Sequence, residues 1–409
     1  MHDIGIVGSG IAGLHLGLLL LQRGIKPTLY AEHRPEEMRR GHLPSTTVLF
    51  ATVRGHMRQL GVAYWDAPDT STHQFDFGIK GMPHLSFHVP YRSPPQFIDM
   101  RLYLPRLLED FAARGGRVIT CGALDAASVA SLGEAHDLVV VASGRGGLAG
   151  MFPRVPERSP FTEPQRRLMA GFFRGIRFPE PFQFTEQIVP DHGEVCEFQV
   201  LTHCGPASAL LILAIPGGQL EGITRMSYET DPAAFNCAAL DLLREHVPQV
   251  RARIEAPASF EALGPLDVLQ GAVLPVVRRG FIEVRPGRYA LALGDAHVTL
   301  DPITAQGSNA AAKAAWLLGE LLAARIDKGG TFDGAFCASV EERLWEMLQP
   351  VSEWNNAALL PPSPHVFELI TAAARNHVIA EEFVTNFDDP RRQWEILSSP
   401  ENTAAFIRR

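Results

Sequence analysis

The sequence predicts an α/β fold: a doubly wound parallel sheet, a second antiparallel layer, and a helical C-terminal region. Three observations predict it. Residues 3–8 (DIGIVG) read as a short apolar strand, followed by a glycine turn, a helix to about Gln22 and a second strand at 27–32. That βαβ spacing belongs to a parallel sheet. Residues 136–144 and 289–294 are continuously apolar, as strands buried on both faces are. Residues 165–268 alternate instead, as an antiparallel layer with one covered face does.

The remaining elements follow in order. Arg34–Gly41 is charged and reads as a loop. Residues 47–60 read as a helix that Gly61 ends as a C-cap. Residues 64–98, rich in Pro, His, Ser and aromatics, read as strands outside the nucleotide layer. Residues 99–114 form an amphipathic helix stopped by Gly115 and Gly116. Within 165–268, strands are expected at 170–177, 194–202 and 207–215, with one helix at 233–246. A long Ala-rich helix is expected at 306–325, and 333–409 reads as helices broken by the prolines at 361–364. No internal repeat or low-complexity run occurs.

The chain of 409 residues exceeds one ordinary core, so more than one domain is expected. Its 46% hydrophobic and 20% charged residues match a soluble globular protein. A net charge of −8 argues against nucleic acid or an anionic membrane as partner. The five cysteines are scattered and odd in number, so neither a disulfide framework nor a zinc site is expected, and a cytoplasmic location is. The apolar run 11–21 resembles a signal-peptide core. It lacks a preceding Lys or Arg, is broken by glycines and His15, and reads as a buried βα unit. The histidines read as surface or satisfied core groups, with no metal site among them.

The chemistry is signalled by glycines. Gly8, Ser9, Gly10, Ile11, Ala12 and Gly13 follow a strand and open a helix. Gly8 permits the tight turn, Gly10 lets main chain approach a pyrophosphate, and Gly13 lets helix and strand pack closely. The helix N-terminus presents free N–H groups to the phosphates. Glu32, with His33 and Arg34 after it, ends the second strand, where a carboxylate accepts the hydroxyls of an adenosine ribose. A second motif, Gly294-Asp295, ends a buried strand. It is followed by Asp301-Pro302-Ile303-Thr304-Ala305-Gln306-Gly307-Ser308-Asn309, which opens the Ala-rich helix. In glutathione-reductase-type flavoproteins a Gly-Asp here bonds the ribityl chain, and the helix N-terminus faces the pyrimidine edge of the flavin. Pro302, Gln306, Gly307 and Asn309 are therefore cofactor candidates. Arg101 is placed beside the cofactor phosphates in similar flavoproteins, and Ser143-Gly144 resembles their small-residue turn near the cofactor. No second dinucleotide fingerprint occurs, and the Asp-Gly that single-component aromatic hydroxylases carry is replaced by Ser143-Gly144-Arg145. Nor does HExxH, GxSxG or GxxxxGK[ST] occur, which excludes metalloprotease, serine hydrolase and P-loop chemistry.

Nearly end to end, the chain resembles the oxygenase (epoxidase) component of the two-component styrene and indole monooxygenases. IGIVGSGIAGLHLGLLL, DMRLYLPRLLEDFAARGG, DVLQGAVLP, ALGDAHVTLDPITAQGSNAA and NFDDPRRQWEILSSPE carry the resemblance. It implies FAD, used as FADH2 delivered by a separate NADH-dependent flavin reductase. Oxygen would add at flavin C4a, and the hydroperoxide would pass one oxygen atom to a small apolar aromatic alkene. No side chain need then act as a catalytic acid or base. A homodimer is an expectation of the resemblance alone. On the substrate side, Ser45 and Thr47 stand where styrene epoxidases carry Asn and Val, and Leu49 where they carry His. Indole-type members resemble Ser followed by Gln. Ala305 replaces a Gly usually found before the Gln-Gly pair. These departures leave styrene-like and indole-like substrates both open. Ser45, Thr47, Leu49, Pro302, Ile303, Thr304 and Ala305 are the expected pocket residues.

The expected layout is a glutathione-reductase-type Rossmann FAD domain from 1–70, 97–160 and 268–330. A substrate domain is expected from 71–96 and 161–267, and a helical region from 331–409. A self-sufficient NAD(P)H-dependent aromatic hydroxylase and a non-catalytic binding protein on the same scaffold are the alternatives.

Overall fold

The computed structural model describes residues 2–409. Its first layer is a six-stranded sheet in the order Phe281–Arg285, Arg288–Ala292, Leu138–Val141, Ile4–Val7, Thr28–Ala31, Arg117–Thr120. All pairs are parallel except the edge hairpin of the first two strands. Ile4–Val7 sits centrally and every residue of it is buried. Only apolar side chains and Gly5 suit a strand covered on both faces.

Helix Ile11–Gln22 explains why an apolar run can mimic a membrane signal. Ala12 to Leu20 are buried on every side of it. One side packs on helix Gly307–Asp327, where a Cβ at Gly319 would lie 2.6 Å from Leu19 Cδ2. Another meets Phe111, whose ring would lie 2.9 Å from a Cβ at Gly17. Each fully buried leucine here contributes roughly 1.5–3 kcal/mol. No helix among the described residues is long and apolar enough to cross a membrane.

The second layer is a ten-stranded sheet. Its centre is Arg167–Arg174, Gly205–Ala214, Gly193–Thr202 and Gln183–Val189, joined antiparallel. Gln183–Val189 then pairs parallel with Gln74–Ile79. Helix Pro232–His246 covers the outer face through Phe235, Ala239 and Leu243. Five helices from Gly334–Ala358 to Pro400–Ile407 close the chain. Asp333 and Ser399 cap two of them by accepting from Phe336 N and Asn402 N.

The α/β class stands as the sequence predicts it, and several elements differ. Residues 46–49 are a strand, Thr46–Leu49, and the helix starts only at Ala51. The run Thr46-Thr47-Val48 is β-branched, which favours a strand. Arg34–Gly41 contains a short helix, Pro35–Arg39, with Pro in its first turn and Glu37 bonded back to Arg34 N. Strand Arg117–Thr120, helix Ala126–Ala135 and strand Gln183–Val189 are additional elements.

Candidate active site

A cavity of about 820 Å³ lies between the two sheets. At its first end the wall is main chain. Gly8 has φ of 114°, and a Cβ there would lie 2.3 Å from Ala142 O. A Cβ on Gly13 would lie 2.1 Å from Gly8 O, so this position holds helix against strand without lining the cavity. Gly10 has open space where a Cβ would point. Helix Ile11–Gln22 has no side-chain cap at its start, which leaves its first N–H groups for a ligand. Ser9, Ile11, Ala12, Glu32 and His33 complete this end. The Glu32 side chain is 59% exposed, with His33 Nε2 3.7 Å from its carboxylate, and is open to ribose hydroxyls.

The middle of the cavity is reached by Ser143, Gly144, Arg145, Gly294 and Asp295. Gly294 takes φ of 62°, which turns the chain after its strand. Asp295 is half-buried, and loss of water around it raises its pKa against the pull of Arg145 and then Arg278. Ser143 Oγ is buried with no hydrogen-bond partner among the described residues. Helix Gly307–Asp327 also starts without a side-chain cap, and Gly307 and Ser308 line the cavity.

These features fit an FAD: a main-chain cradle with open space at Gly10, two uncapped helix starts, an orphaned hydroxyl and a half-buried carboxyl.

The other end is made of side chains. Leu168, Phe184, Phe198 and Leu211 come from the antiparallel sheet, and Phe387 comes from the turn between helices His377–Thr385 and Pro390–Leu397. Phe387 stands edge-on to Trp354 at 5.1 Å and lies 6.3 Å from Phe50. Its carbonyl accepts from Gln306 Nε2 at 2.8 Å. Next to it, the Asp388 carboxylate accepts from Thr52 N and its carbonyl from Lys313 Nζ. Phe387 and Asp388 are therefore tied to the helices on either side.

Between the ends, Ser45, Thr47, Pro302, Ile303 and Ala305 all line the cavity. Thr47 Oγ1 lies 3.0 Å from Ser45 Oγ and 3.4 Å from Ser308 Oγ, so the three hydroxyls partner one another. Ala305 takes φ of 56°, a left-handed conformation that Gly adopts more readily than Ala.

Some expected site residues lie behind the wall. Arg101 is only 6% exposed and its guanidinium is held by Asp99 and Asp267, at 2.8 and 2.6 Å, so it does not face the cavity. Arg34 starts the short helix after the second strand and also stays off the wall. Leu49 is fully buried in the core beside helix Ala51–Leu60. Gln306 bonds Thr304 O and Phe387 O instead of facing a ligand. Asn309 joins strand to helix by accepting from Phe50 N and donating to Val48 O. Thr304 Oγ1 accepts from Asn355. These residues shape the wall from behind. Conversely, Arg145, Glu186 and Phe387 line the cavity unforeseen. The first and last lie in visible segments, one after the small-residue turn and one in NFDDPRRQWEILSSPE, but neither spacing marks a ligand contact.

A family model described as "Styrene monooxygenase A putative substrate binding domain" matches residues 144–253. Styrene monooxygenase StyA of Pseudomonas fluorescens is 35% identical over 97% of this chain and 95% of its own. The chain belongs to the styrene monooxygenase family. A second StyA, from a Pseudomonas species, is 35% identical with the same coverage. The flavin-dependent brominase Bmp2 shares the fold at 16% identity, TM-score 0.71, over 99% of this chain and 98% of that one. A flavoprotein/dehydrogenase from Cytophaga hutchinsonii does so at 13% identity, TM-score 0.67, over 99% of both chains. As a member of the styrene monooxygenase family, the chain is an FAD-dependent, two-component monooxygenase, which implies a reductase partner. The self-sufficient hydroxylase and binding-protein alternatives fall away.

Proposed function

We propose that this chain epoxidises small apolar aromatic alkenes of the styrene or indole kind. It would use FADH2 made by a separate NADH-dependent flavin reductase. The observation that carries this reading is the cavity itself, main chain at one end and apolar side chains at the other. Reduced FAD, when bound, supplies two electrons and the activation of O2, so that one oxygen atom enters the alkene and the other leaves as water.

The protein's share is binding, orientation and exclusion of water. The turn from Gly8 to Gly13 would take the pyrophosphate, and Glu32 the adenosine ribose. Asp295 would accept from the ribityl hydroxyls. The free N–H groups at Gly307 and Ser308 would stabilise negative charge at the pyrimidine edge. Phe184, Phe198 and Leu211 would hold the alkene, and Phe387 would close the chamber, because a dry site limits loss of activated oxygen to water. No side chain is asked to move a proton at the reacting carbons. Residues 1–70, 97–160 and 268–330 would form the FAD unit and 71–96 with 161–267 the substrate unit, with 331–409 supplying the lid. The five free cysteines suit a reducing cytoplasm.

The test supplies the chain with FADH2, O2 and either styrene or indole, and compares oxygenated product with hydrogen peroxide. Product in proportion to O2 consumed supports the reading. Peroxide alone, whichever compound is present, sinks it.

A further inference from the structure

One cavity wall carries a carboxyl with no hydrogen-bond partner among the described residues. Glu186 lies on strand Gln183–Val189 and lines the cavity with Phe184, two residues before it on the same face. Its cross-strand neighbour Cys196 also lines the cavity. Burial and the nearby charge of Glu194 push the Glu186 pKa up to about 8, and neither a cation nor a hydrogen bond acts in the other direction. Near neutrality the group is therefore largely a neutral acid, with one O–H to donate and one C=O to accept.

Two other acids of this sheet are satisfied. Glu194 accepts from Arg166 Nε and Nη2, each at 2.9 Å. Glu197 is bonded by Arg253, Ser208 and Gln199. Buried polar groups are paired as a rule, and an exception facing a ligand cavity marks a place for a ligand's polar group.

We propose that Glu186 is a specificity-determining residue that hydrogen-bonds an N–H or O–H group on the aromatic substrate. This rests on the epoxidase reading of the same cavity. The preferred ligand is a neutral aromatic donor and not an amine cation. An ammonium group would shed its water against phenylalanine and leucine, with a single acid to receive it. A plain hydrocarbon still fits the chamber but leaves the carboxyl unpaired.

The experiment uses a matched pair, indole and indene, which share a bicyclic skeleton and differ by N–H against CH2. Dissociation constants are measured on the FAD-loaded protein, as wild type, Glu186→Gln and Glu186→Leu. Wild type is expected to favour indole by about tenfold, the effect of one hydrogen bond at this depth. Glu186→Gln keeps an acceptor and should keep most of that preference. Glu186→Leu should bring the ratio to within about twofold of unity while leaving FAD affinity unchanged. If the Leu variant does not take up FAD, Glu186→Met serves the same comparison. An indole-to-indene ratio that is the same in wild type and the apolar variant overturns the proposal. Because the readout is binding, it stands apart from turnover. A wild type with the preference that oxidises neither compound would sink the epoxidase reading and leave the role of Glu186 in place.

Discussion

At one end of the cavity a ligand meets main chain; at the other it meets side chains. The first end is set by Gly8, Gly10, Gly294 and two uncapped helix starts on the parallel sheet. The second is set by leucines, phenylalanines and one acid on the antiparallel sheet, with Phe387 beside them. A main-chain site tolerates almost no change, since a single Cβ destroys it. A side-chain site can exchange its members while keeping its volume. The difference teaches why one flavin end can serve many chemistries, and why specificity is written at the other.

The comparison can be broken first at its rigid end. Gly13→Ala puts a Cβ 2.1 Å from Gly8 O and must force helix from strand. Stability should fall by about 3 kcal/mol in urea unfolding, and FAD affinity by at least about a hundredfold. Near-normal FAD binding would mean that the turn is not the cradle. Asp295→Ala should separate binding from folding. FAD affinity, followed by fluorescence titration, should drop by about tenfold, while the stability of the FAD-free protein stays nearly unchanged, because the half-buried carboxyl accepts no hydrogen bond among the described residues.

At the other end, Phe387→Ala should open the lid. Peroxide per FADH2 consumed should rise several-fold while FAD affinity holds, and unchanged coupling would remove Phe387 from the chamber's closure. The acid in that wall sharpens the contrast through pH. The folded pKa of Glu186 is about 8, above the ordinary 4.5. Its stabilising contribution is full below about 4.5 and is lost as pH rises through about 8. Glu186→Gln should therefore gain on wild type in urea midpoint from about pH 5 to about pH 8, and a flat difference would contradict the burial. The smallest effect is expected at the seam. Ala305→Gly relieves a φ of 56° and should stabilise by about 0.5–1 kcal/mol.

The same contrast explains what the sequence discloses. Gly8, Gly13, Gly294 and Asp295 are legible because a left-handed turn or a close approach admits few residue types. The leucines and phenylalanines of the other end look like any core. The strand Gln183–Val189 does alternate, with Phe184, Glu186 and Ile188 on one face, yet a glutamate in such a pattern reads as solvent-facing. Arg101 misleads for the opposite reason. Arginine suits a phosphate well, but Asp99 two residues earlier already holds it. Thr46–Leu49 is missed because its apolar residues run on into the helix behind it, despite the β-branched triplet.

The strands Leu138–Val141 and Arg288–Ala292 lie side by side in the parallel sheet, with most of the antiparallel sheet threaded between them in the chain. Neighbours so far apart in sequence make for slow folding, since a long loop must close before their pairing repays it. The Gly294-Asp295 turn, which follows the later strand, reaches the Gly8 turn only after that closure. Flavin therefore meets a site that exists only once the chain has been synthesised past Ser308 and both sheets have assembled. It can hold the finished protein by mass action, but it arrives too late to guide the early steps of folding.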